Sequence, residues 1–219
     1  MPILDGVEQL ERLLVGVAGY PSVAAAVAAH AVFLDPQTVR QTTGAAIFPI
    51  IRFSDDRTTR GAETTDAQGR PALLCDNTTP REVFLRSARR SKGHNAHFSH
   101  VWDGTLADRD AYTALWNICA VPAFLAKATD GRNHPAVRAA LWWRSYELYG
   151  TVPEGRILPE RPPAYERFEW AVRPDPVADL ERELRVWLTR SPRSRAARAA
   201  REIGWLFSDW EPDSTIPAG

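Results

Sequence analysis

Three histidines, His94, His97 and His100, recur at intervals of three near the middle of this 219-residue chain, and Asn117 comes seventeen positions after the last. Lys127, Asp130 and His134 come shortly after. These residue types suit phosphodiester hydrolysis, which needs an in-line nucleophile, a cation against the developing charge and help for the leaving oxygen. A neutral imidazole can take a proton from water near neutral pH, and a hydrogen bond to its second ring nitrogen sets its tautomer and aim. His100 is the candidate base. Asp130 or His134 is the candidate metal ligand, since hard divalent cations accept carboxylate oxygen, and Lys127 offers a substitute charge. If the segment were helical, His94/His97 and His97/His100 would be neighbours and suggest a zinc site. A strand instead sends His97 to the face opposite His100. Strand or loop is the expectation, because GHN and DG bracket a short β-prone run.

Positioning these groups takes a definite order of elements. The segment ending at His100-Val101-Trp102 reads as a strand, 103–116 as a polar loop, and the apolar run after Asn117 as a second short strand. Pro122 then starts a compact helix that Gly131 stops, Pro being tolerated at the first helical position and Gly favouring the left-handed turn past the last. Ala126 and Asp130 would share one face of that helix. The plainer alternative is that Asn117 and His100 simply hydrogen-bond across a hairpin.

His100-Val-Trp resembles the H-I-x-P step of HNH endonucleases, and Asn117-Ile-Cys-Ala-Val-Pro resembles the N-L-x-x-L step after it. More closely, SHVW, AYTALWNICAVPAFLAKATD and RSYELYG look like a bacterial family of HNH-like proteins, over roughly a quarter of the chain. The resemblance implies a ββα-metal unit at 94–131 with His100 as general base and Asn117 bracing the loop that carries it. It further implies a divalent metal (Mg²⁺ or Mn²⁺, alternatively Zn²⁺) and DNA as the partner. The chain departs from the family where a metal-binding His is expected eight or nine residues after the Asn: Leu125 and Ala126 stand there.

Composition sets the outer bounds. Hydrophobic content of 44% and charged content of 25% are those of an ordinary globular protein, and a formal net charge of zero advertises no global basic field. Only Lys92 and Lys127 are lysines, the other basic residues being arginines, which grip phosphate bidentately; GC-rich coding would give the same bias. Cys75 and Cys119 form no CxxC pair, so a four-cysteine zinc knuckle is excluded. Nothing reads as a signal peptide and no run of ~18 apolar residues exists, so the expectation is a cytoplasmic protein without a membrane span. No G-x-S-x-G, phosphate-binding Gly loop, Rossmann fingerprint, HExxH or E-x-K triplet is present.

The rest of the chain predicts an α+β fold, mostly helical, as a single domain with the ββα-like unit embedded in residues 1–150. Helices are expected at 4–19 and, after a break at Pro21-Ser22, from Val23 to about Leu34, a strand at 45–53 that Pro49 demotes to an edge or bulged one, a loop at 54–70 and a strand at 71–76. Thr79 and Glu82 suggest a capping box opening a helix that carries Arg86, Arg89, Arg90 and Lys92, the densest basic segment and a candidate nucleic-acid contact together with Lys127. A solvated helix face reads equally well from these residues. A further helix spans 135–149, a proline-rich linker or wrap 151–176, and a helical pair at 177–190 and 194–210 closes the chain. Two functions fit these residues: an HNH-like DNA endonuclease, or a non-catalytic nucleic-acid- or partner-binding protein on a degenerate ββα scaffold.

Overall fold

The computed structural model describes residues 5–52, 59–91, 95–130, 134–209 and 211–217. Helix α1 (Gly6–Glu11) begins where the Asp5 carboxylate accepts from the Val7 and Glu8 N–H groups, and it continues as a π-helical stretch over Arg12–Val17. Helix α2 (Val23–His30) is capped by Ser22 and buries its alanine-rich body. It stops short of the expected Leu34 because Val32 exchanges two backbone hydrogen bonds, 2.8 and 3.0 Å, with Ala120 far along the chain. A short helix α3 (Pro36–Arg40) comes next under an Asp35 cap.

The first sheet has the order β1-β3-β2, from β1 (Ile50–Ile51), β2 (Glu63–Thr65) and β3 (Pro71–Leu74), with β1 parallel and β2 antiparallel to β3. The expected strand at 45–53 shrinks to two residues, since Pro49 has no N–H for a ladder. Residues 47 and 48 instead give their N–H groups to the buried Thr113 hydroxyl at 3.1 and 2.9 Å. The segment read as a loop, 54–70, contains β2, and residues 53–58 lie outside the described ones. Asp66 explains the strand: its carboxylate accepts from the Gln68 and Arg70 N–H groups, folding a tight turn that returns the chain as β3.

Helix α4 (Thr78–Ser87) starts two residues earlier than the expected capping box allows, with Asn77 in place of Thr79 at its cap. The Thr79 hydroxyl lies 3.0 Å from Cys75 Sγ, and Glu82 turns to Arg81 and Arg86. The second sheet is the antiparallel pair β4 (Ala96–His100) and β5 (Ile118–Pro122). Pro122 therefore closes a strand and does not open a helix. A 3-10 turn, Ala123–Leu125, and further turns to Asp130 replace the helix expected over 122–130 with a tighter, irregular path. Its register is set by the Ala123 N–H bonding the Asn95 carbonyl at 2.6 Å and by Ser99 Oγ meeting Thr129 Oγ1 at 2.6 Å.

Helix α5 (Pro135–Tyr149) matches its sequence signals, with Pro in the first turn and Gly150 left-handed at φ +69°. Residues 151–176 run extended against α5: Trp143 Nε1 donates to the Pro159 carbonyl, and Glu147 takes Arg161 and the Tyr165 hydroxyl. Helices α6 (Leu180–Arg190) and α7 (Arg195–Glu202) end the regular structure. The last helix is shorter than expected because Gly204, at φ +110°, turns Trp205 inward against Phe48. One hydrophobic cluster, from Leu14 to Ile216, joins all these parts into a mixed α+β fold.

Candidate active site

The β4–β5 register puts His100 opposite Ile118, so the chain leaves the sheet just after His100 and re-enters it just after Asn117. Asn117 is completely buried beneath the loop between them. Its Oδ1 accepts from the Trp102 N–H, and its Nδ2 donates to Thr105 Oγ1 and to the Ala111 carbonyl, each at 2.9 Å. Thr105 Oγ1 donates back to the Trp102 carbonyl at 2.7 Å. One amide thus holds both ends of the loop and its midpoint, with every polar group satisfied.

His100 is fixed from the same loop. Its Nε2 lies 2.9 Å from the Tyr112 carbonyl oxygen, and its ring stacks on the Tyr112 ring at 4.9 Å between centroids and 15° between planes. A carbonyl can only accept, so the proton resides on Nε2 and Nδ1 keeps its lone pair. Asn117 and His100 grip consecutive carbonyls, those of Ala111 and Tyr112. Burial pushes the His100 pKa down to about 4; the Tyr112 carbonyl opposes this shift, and Arg52 and His97 add to it. The ring is therefore neutral at physiological pH. Tyr112 donates its hydroxyl to Asn77 Oδ1 at 3.4 Å, and that oxygen also accepts from Arg52 Nη1 at 3.2 Å.

His100 lines a cleft of about 340 Å³ with Arg52, Asn77, His97, Lys127 and Asp130 on its walls. His97 lines the cleft too, although alternation along β4 puts it on the face opposite His100. Among the described residues β4 pairs only with β5, and residues of both its faces line the cleft. The strong twist of two-stranded ribbons favours the same outcome. Burial lowers the His97 pKa, with a smaller push from Lys127. Arg52, Asn77 and Tyr112 are the other site residues that the sequence does not single out; their positions depend on contacts 12 to 35 residues away in the chain.

The remaining candidates are distributed unevenly. Asp130 lies on the cleft wall, exposed, with its carboxylate 4.0 Å from Lys127 Nζ. With 122–130 non-helical, Asp130 and Ala126 do not share a helix face. His134 precedes α5 and is not among the residues that line this cleft; its Nε2 is buried without a hydrogen-bond partner among the described residues. No group of three or more His, Cys, Asp or Glu side chains able to hold a metal ion occurs among the described residues. The described donors therefore gather into no three-ligand metal centre. Arg86 pairs with Glu82 at 3.2 Å and lies over the Trp187 ring, Arg89 pairs with Glu183, and Arg90 is exposed beside them. These lie at the C-terminal end of α4, whereas it is Asn77, at the opposite end, that reaches the cleft. Lys92 lies outside the described residues.

Comparison of the chain with protein-family models, with curated proteins and with solved structures gives no match. Among the described residues, no helix is long and apolar enough to cross a membrane.

Proposed function

We propose that this chain is an HNH-like endonuclease that hydrolyses phosphodiester bonds of DNA, with His100 as general base and Asn117 as the residue that positions its loop. One observation carries the reading: Asn117 and His100 hold adjacent carbonyls, which leaves a neutral imidazole on a cleft wall with a lone pair on Nδ1. In this reading the β4–β5 pair and the turns after it form the embedded ββα-like unit. A water held against a phosphate in the cleft gives its proton to Nδ1, and Lys127 and Arg52 oppose the charge that grows on the phosphate oxygens. The resemblance implies a divalent ion, but the described residues offer it no cage, so no residue here is assigned to hold one.

Nicking of supercoiled plasmid is the test, run with Mg²⁺ or Mn²⁺ and with chelator. His100→Ala is expected to lower the rate by about 10²–10⁴, the usual worth of a general base, with the fold retained by circular dichroism. A second reading, a binding protein on the same scaffold, is favoured by the lack of a three-donor group among the described residues. Folded protein that binds DNA but nicks none with any divalent ion would establish that reading in place of the first.

A further inference from the structure

We propose that the imidazoles of His97 and His100 act as a general acid–base pair that cleaves RNA without a metal ion, with the substrate's own 2′-hydroxyl as nucleophile. The inference rests on the phosphodiester reading of the cleft and extends it to a second substrate and a different chemistry. Both rings line one cleft, in company with Lys127 and Arg52. They sit near enough that a charge on His97 disfavours one on His100. DNA hydrolysis requires a water to be captured, activated and aimed. An RNA strand carries its nucleophile beside the phosphorus, and a nucleophile held in place reacts as though present at very high concentration. Two imidazoles then suffice for proton movement, and no three-donor metal group is needed.

The step balances within the cleft and the substrate. His100 Nδ1 takes the 2′-hydroxyl proton as O2′ bonds to phosphorus. The P–O5′ bond breaks, and the departing O5′ takes a proton from the His97 imidazolium. A 2′,3′-cyclic phosphate and a 5′-hydroxyl leave, and exchange with water resets the two rings. Lys127 and Arg52 line the wall where the extra negative charge appears.

Burial lowers the pKa of both rings, that of His100 to about 4, and His100 is assigned the base's part and His97 the acid's. The other groups facing the pair are Asn77 at the start of α4, Tyr112 and Asp103 from the loop, Asp130 from the turns after β5, and, on the side of His97, Asp76 and Arg81. Asp103 is held in an ion pair by Arg138 of α5, and Asp130 lies beside Lys127. Cleavage is therefore expected to peak on the acid side, between about 4 and the ordinary histidine value of 6.5, and to fall as His97 deprotonates.

The experiment incubates the full chain with a labelled single-stranded RNA in excess chelator across pH 4.5–8. The expected result is cleavage that leaves 2′,3′-cyclic phosphate ends and fails on an RNA carrying a 2′-deoxynucleotide at the scissile position. His97→Ala and His97→Gln should each lower the rate by about 10²–10⁴, with folding checked by circular dichroism. No cleavage by folded protein in chelator overturns the proposal. So does cleavage that persists undiminished in His97 and His100 variants purified identically, since that marks a contaminant. Plasmid nicking with Mg²⁺ on the same preparation separates the two readings: nicking without RNA cleavage overturns only this one.

Discussion

Around the β4–β5 loop the buried Asn117 amide and Thr105 hydroxyl meet backbone and hydroxyl partners, whereas the surface of α4, α6 and α7 carries many arginines that meet carboxylates. Asn117 reaches Trp102, Thr105 and Ala111. On the other surface Arg89 meets Glu183, Arg185 meets Glu181 and Asp213, Arg195 meets Asp76, and Arg198 meets Glu63 and Glu202. The first region spends its polarity on geometry, the second on joining helices. Positive charge counted along the sequence is thus a poor guide to where an anion would dock, because a guanidinium already opposite a carboxylate has little to offer a phosphate. The region around the Asn117 amide is where the neutral His100 imidazole is held.

Breaking the brace should have the largest effect. Asn117→Ala leaves the Trp102 N–H without a partner and takes one bond each from the Thr105 hydroxyl and the Ala111 carbonyl, which keep the Trp102 carbonyl and the Ala114 N–H; an orphaned buried donor costs about 1–3 kcal/mol and each further lost bond about 1, hence about 4 kcal/mol in all. Urea denaturation measures it, and a loss under about 1 kcal/mol would show that the loop stands without the amide.

A pH effect of slightly smaller size sharpens the comparison. The folded-state pKa of His100 is pushed down to about 4 from an unfolded value of 6.5, so the unfolded chain binds the proton more tightly. Stability from the neutral ring is fully present above 6.5 and is lost as pH falls toward 4, by up to about 3 kcal/mol. His100→Gln should remove that component of the pH dependence. A variant with the same slope as the parent between pH 7.5 and 4.5 would place the titration elsewhere.

The smallest effect belongs to the arginine surface. Arg86→Ala with Arg89→Ala is expected to change DNA affinity by less than about twofold, since exposed side chains already in ion pairs contribute little. Lys127→Ala, on the cleft wall, should lower the salt slope of binding by about one. The reverse ranking would break the contrast between the two regions.

Part of this architecture is legible in the sequence and part is not, for physical reasons. Helix α5 is readable because its signals are local: Pro135 at the start and Gly150 just past the end. The strand–loop–strand path between Ala96 and Pro122 is readable from β-prone runs around a polar stretch. The path over 122–130 is not, because a proline that opens a helix looks the same as one that closes a strand, and strand pairing of Ala96 with Pro122 decides the matter. Strand β2 hides in a polar stretch because the Asp66 turn, not apolar alternation, makes it. Alternation puts His97 and His100 on opposite faces of β4, and the observed register keeps them so, but alternation alone does not reveal that residues of both faces line one cleft. The arginine pairings are beyond reach: Arg89 and Glu183 are 94 positions apart, and nothing local links them.

The Asn117 clip is also a matter of chain entropy. Closing a loop of ~15 residues costs about 3 kcal/mol of conformational freedom, and three hydrogen bonds at about 1 kcal/mol each offset roughly that much. The clip achieves without covalent chemistry what a cross-link would, in a chain whose Cys75 and Cys119 are both buried and free. Loop geometry should then be indifferent to reductant, and the segment from Trp102 to Tyr112 should open as one unit when the clip is cut. Hydrogen exchange at its amides would rise together in the Asn117→Ala chain, while the amides of α5 keep their protection.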